Sequence, residues 1–79
     1  MVGTVTKKVD GRGFFFILGA DGHEYFCHQS NLAGCRFVDL RCGDRLLFEG
    51  DKDYPKGPRA EQAMRIEQGS VEAEDQGNR

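Results

Sequence analysis

The 79-residue sequence predicts an all-β fold, a small closed or nearly closed barrel of five antiparallel strands. Two observations carry that prediction. Short runs rich in β-branched and aromatic residues alternate with Gly-rich turn signals, and no segment is a sure helix that would cover an open sheet. At this length, with 38% hydrophobic residues, a single core only just offsets the ordering entropy of the chain, so one compact domain is expected.

Residues 2–9, VGTVTKKV, are rich in Val and Thr and run into Asp10-Gly11, which reads as a strand leading into a tight connection. Residues 13–18 form the second strand. GADG at 19–22 is a turn, and HEYFCH at 23–28 returns as a third strand paired to the second in a hairpin. Residues 29–43, QSNLAGCRFVDLRCG, have no period of two and include Gly34 and Gly43. They make a long connection with one short helical turn near Ser30 to Ala33. DRLLFEG at 44–50 resumes strand character, and DKDYPKGP at 51–58 is a loop by composition. RAEQAMRI at 59–66 closes the fold as a strand or, by the propensities of Ala, Glu, Gln, Met and Arg, as a helix. From Gly69 the polar, acidic GSVEAEDQGNR has too little to bury, so the domain is assigned to residues 1–68 and a disordered tail to 69–79.

No apolar run approaches the roughly 18 residues of a membrane span, and the first residues lack the pattern of a signal peptide; a soluble, cytoplasmic protein is expected. Cys27, Cys35 and Cys42 are odd in number and without CxxC spacing, which argues for free thiols and against a disulfide framework or a structural zinc site. Cys27 and His28 are neighbours on a strand and point to opposite faces, so they do not form a nucleophile and base pair. No catalytic residue, metal or cofactor is expected. The formal charge of -2 is unevenly spread: residues 1–66 carry ten Lys and Arg against nine Asp and Glu, and the acidity belongs to the tail.

Alternation along the second strand puts Phe14, Phe16 and Leu18 on one side and Phe15 and Ile17 on the other. Hairpin pairing then gathers two faces. Phe15, Ile17, Tyr25 and Cys27 fit a barrel interior with Val5, Leu32, Leu40 and Leu46, and Phe14, Phe16, Phe26 and His28 form a plate of rings on the other side. Without a second layer to cover it, that plate meets water, and such a patch marks a binding surface. The competing reading keeps some of these rings in the core beneath the long connection. Flat rings suit nucleobases, which stack at about 1–3 kcal/mol each, and Lys7, Lys8, Arg12, Lys56 and Arg59 are placed to frame the plate and follow phosphates.

These residues resemble the cold-shock domain, an OB-type barrel that binds single-stranded RNA and DNA. GTV at 3–5 followed by RGFFFI at 12–17 is similar to the family's first strand and first motif, usually KGFGFI, and YFCH at 25–28 to its second, usually VFVH. Ser30, Phe37, Leu40, Gly43 and Phe48 then match in order, and KGPRAEQA at 56–63 resembles the closing element, so the likeness covers roughly residues 2–66. It implies Phe14, Phe16, Phe26 and His28 as stacking residues, Phe37 as a further loop ring, Lys56 and Arg59 beside the groove, and a strand for 59–66. Lys7, Lys8 and Gln29 stand where aromatics are common in the family, which shifts the expected balance from stacking toward phosphate contacts. Phe15 replaces a usual glycine and is assigned to the interior. Tyr54 is either a turn residue or a ring returned to the groove.

The expectation is a non-enzymatic, monomeric module for single-stranded RNA or DNA, without a membrane or small-molecule partner, acting as a nucleic-acid chaperone or as a regulator of transcription or translation. The alternative is an OB-type adaptor whose exposed rings bind a protein. The -3 balance of residues 67–79 makes the tail a candidate mimic competing for the basic groove.

Overall fold

Buried and exposed residues alternate along the strands of the computed structural model, which describes residues 1–66. The strands are β1 (Val2–Val9), β2 (Phe14–Gly19), β3 (Glu24–His28), β4 (Leu32–Ala33), β5 (Arg45–Asp51) and β6 (Arg59–Arg65). Five of them run around a barrel in the order β3-β2-β1-β5-β6, with antiparallel neighbours throughout. One parallel rung, Phe26 opposite Arg59, joins β3 to β6 and closes the ring. There the Phe26 amide donates to the Pro58 carbonyl at 3.0 Å. A closed five-strand barrel of this size is compatible with an OB-type barrel.

The helix propensity of residues 59–66 is overruled by pairing on both edges of β6. One edge meets β5 and the other meets β3 and then β4, where Leu32 faces Ala63 and Ala33 faces Met64. Both rows of backbone groups are thereby satisfied in extended conformation. The helical turn expected near Ser30 to Ala33 is a 3-10 turn at Gln29–Asn31, and Leu32 and Ala33 are extended; a second 3-10 turn covers Phe37–Asp39.

Inside lie Val5, Phe15, Ile17, Tyr25, Cys27, Leu46, Phe48, Ala60 and Ala63, with Leu40 entering from the connection as a plug. Each large side chain sealed from water contributes about 1.5–3 kcal/mol. The interior holds seven of the eight expected side chains and adds Phe48, Ala60 and Ala63, while Leu32 is half-buried at its margin. Gly3 is required by packing: a Cβ there would stand 2.6 Å from Ile17 Cγ2 and from the Leu18 carbonyl oxygen. Among the described residues no helix is long and apolar enough to cross a membrane. The acidic tail assigned to 69–79 lies outside the described residues.

Candidate functional site

Strand register assembles the outer face of the barrel. Phe16 pairs with Phe26 and Phe14 with His28, so three phenylalanines and an imidazole share one side. The Phe14 and Phe26 centroids are 5.1 Å apart, and Phe16 lies 5.8 Å from each of them. Phe14 and Phe16 are half-buried, and Phe26 is 36% exposed. The rings support one another edgewise and still offer surface to solvent.

Lys7 pairs with Phe16, Phe16 with Phe26, and Phe26 with Arg59, giving one row across four strands with a cation at each end. Position 7 reaches this row through a bulge. Val5 pairs with Ile17 and Lys7 with Phe16, leaving Thr6 unpaired between them. An extra residue of this kind shifts the alternation beyond it. Lys8 accordingly pairs with Phe15 of the inner face, with its side chain 14% exposed and its ammonium 3.2 Å from Asp10 Oδ1. That ammonium lies 4.7 Å from the centroid of Phe37, and the Phe37 ring in turn rests 6.0 Å from that of Phe15. Lys8 and Phe37 thus form a separate stack on Phe15 and make no ring contact with the plate.

The other predicted residues fall around the plate. His28 is exposed, and its Nδ1 accepts the Ser30 backbone N–H at 3.1 Å, which caps the Gln29–Asn31 turn and leaves Nε2 to carry the proton of the neutral ring. Arg12 is exposed in the β1–β2 turn, where Gly13 has φ 72° and the Arg12 amide donates to the Val9 carbonyl at 3.1 Å. Gly13 is enclosed as well, since a Cβ would meet the Gln29 side-chain nitrogen at 2.5 Å. Among the described residues Lys7, Arg12 and Lys56 have no ion-pair partner, whereas Arg59 stands 3.8 Å from Glu61.

Beside the plate opens a cleft of about 550 Å³ lined by Phe16, Glu24 and Phe26 of the sheet, by Tyr54, Lys56 and Pro58 of the β5–β6 loop, and by Arg59 at the start of β6. Glu24 is held by Thr6, whose hydroxyl donates to Oε2 at 3.1 Å. Tyr54 lines this cleft and also opens a turn, its carbonyl accepting the Gly57 amide at 2.9 Å, so both of its readings meet at one residue. Its place depends on Arg59, which donates from Nη1 to the Tyr54 hydroxyl at 2.7 Å with the guanidinium carbon 4.9 Å from the ring centroid. The two stand five positions apart in the chain, and only the loop geometry brings them together.

The inner face has a different chemistry. Burial pushes the Cys27 thiol up to about 12, so it is protonated at neutral pH, and it points inward while His28 points out. The Tyr25 hydroxyl donates to Asp21 Oδ2 at 2.6 Å; that bond, with burial, raises the phenol to about 12, and the same bond, with the His23 backbone N–H, lowers the Asp21 carboxyl. Cys27 and Cys42 are free thiols. Among the described residues no cluster of His, Cys, Asp and Glu is arranged to hold a metal ion. The chain matches no protein-family model.

Proposed function

We propose that the protein is a non-catalytic module for single-stranded RNA or DNA, related to cold-shock domains and acting as a nucleic-acid chaperone or as a regulator of transcription or translation. The observation that carries this reading is the row Lys7, Phe16, Phe26, Arg59: adjacent, partly exposed rings for bases, flanked by cations. Stacking accepts any base because every base has a π face, and cations supply attraction that carries no sequence information. Trapping an unpaired strand needs no nucleotide hydrolysis and no catalytic group, and a cytoplasmic place fits such a role.

Among the described residues Lys7, Arg12 and Lys56 are cations around the plate without an ion-pair partner, and they are assigned to phosphates. Three such contacts to a single strand give a slope of about -2 in log affinity against log salt. A labelled oligopyrimidine of about seven nucleotides, titrated at several salt concentrations, should bind with that slope. Failure to bind at low salt would refute the proposal and favour the adaptor reading, in which the same rings dock on a protein.

A further inference from the structure

Resting on that reading, we infer that Tyr54 and Arg59 together form a second wall of a base slot, and that Arg59 is a positioning residue for Tyr54 instead of a phosphate contact. The cleft takes its rings from two elements. Phe16 and Phe26 bring rings from the sheet, and Tyr54 brings one from the β5–β6 loop, yet Tyr54 makes no ring contact with either. The space between them is therefore not closed by the protein's own packing.

The chemistry of the lining selects a base over a phosphate. Glu24 places a carboxylate beside the rings, where like charge disfavours a phosphodiester, and the Lys56 ammonium assigned to phosphate belongs to the β5–β6 loop. The Arg59 charge is already engaged by Glu61 at 3.8 Å, and one of its nitrogens is committed to the Tyr54 hydroxyl at 2.7 Å. A guanidinium lying over a phenol ring makes a flat, two-part surface, and bases stack on both groups. The fork geometry of Arg is what lets it cover the ring and hold the hydroxyl at once.

The full-length chain is titrated with the labelled heptamer across a salt series, with thermal melts confirming that each variant is folded. Tyr54→Ala should weaken binding about 5- to 50-fold with the salt slope unchanged, because a stacking surface and not a phosphate charge is removed. Arg59→Ala should do likewise, and the double variant should lose little more than either single one, since both changes dismantle one wall. Arg59→Lys keeps the charge without the fork and should not restore affinity. Tyrosine emission supplies a separate readout: the chain has no Trp, and Tyr25 is 1% exposed, so quenching by the oligonucleotide reports on Tyr54.

Full affinity of Tyr54→Ala would overturn the inference. So would an Arg59→Ala variant whose slope falls by about 0.7 and whose loss Lys restores, the result for a phosphate contact. Loss of binding in Phe16→Ala with none in Tyr54→Ala would refute the second wall while leaving the proposed function standing. A wild-type chain that binds no heptamer at low salt overturns both.

Discussion

Phe15 and Phe16 are adjacent in the chain and chemically identical, yet Phe15 is sealed in the barrel and Phe16 lies half-open on its surface. The same division runs across the β2–β3 hairpin. Phe15, Ile17, Tyr25 and Cys27 fill the interior, and Phe14, Phe16, Phe26 and His28 occupy the outer face. Hydrophobicity does not separate the two sets; strand parity and closure do. The interior is completed by Leu40, Leu46 and Phe48, and among the described residues no second layer covers the outer rings. The outer rings are therefore not part of the sealed interior, and the proposed function assigns such a surface cluster to binding.

The comparison is broken most directly by truncating one ring from each side. Phe15→Ala should cost about 3–5 kcal/mol of unfolding free energy, because it opens a cavity against Phe37 and the core, as read by urea denaturation. Phe26→Ala should cost about 1 kcal/mol or less in stability and about 1–3 kcal/mol in oligonucleotide affinity. If Phe26→Ala unfolded the domain instead, the two faces would be energetically equivalent and the plate would be core.

The faces also differ in their response to alkali. Cys27 rises from 9.0 to about 12 through burial, and Tyr25 rises from 10.0 to about 12 through its bond to Asp21 and burial. Both groups hold their protons more tightly in the folded chain than in the unfolded one. Their contribution to stability is therefore complete below about pH 9 and is lost progressively as pH climbs toward 12. Denaturation midpoints should fall above pH 9, and Cys27→Ala should move the onset toward about pH 10, leaving Tyr25 as the remaining group. A midpoint unchanged between about pH 8 and 11 would show that these groups are not sealed inside.

The smallest expected effect lies at the edge of the outer face. Lys7→Gln should leave stability unchanged, weaken binding a few-fold at low salt and reduce the salt slope by about 0.7. An unchanged slope would remove position 7 from the phosphate path and sharpen the division between rings and cations.

Much of this arrangement is legible in the residues. Turn chemistry at Asp10-Gly11 and GADG, with alternation along 13–28, is enough to separate Phe15 from Phe16 and to foresee the plate. Lys8 is not legible, because a bulge at Thr6 leaves no mark on a polar stretch and reverses the parity of the residues beyond it. Phe37 is expected as a loop ring near the groove, but its packing on Phe15 depends on how the long connection folds back over the barrel end. The Tyr54–Arg59 pair is hidden for a similar reason. Its hydrogen bond exists only once the β5–β6 loop has turned, a long-range consequence of pairing that no local period encodes.

The barrel's seam has a consequence of its own. Phe26 supplies both an amide to the single rung that shuts the cylinder and a ring to the surface where a strand would lie. A ligand that selects the shut form over an opened one stabilises it by mass action in proportion to its occupancy. If the proposed strand binds there, loading the ring fastens the seam and fraying of the seam loosens the ligand, so grip and integrity would rise and fall together at one residue.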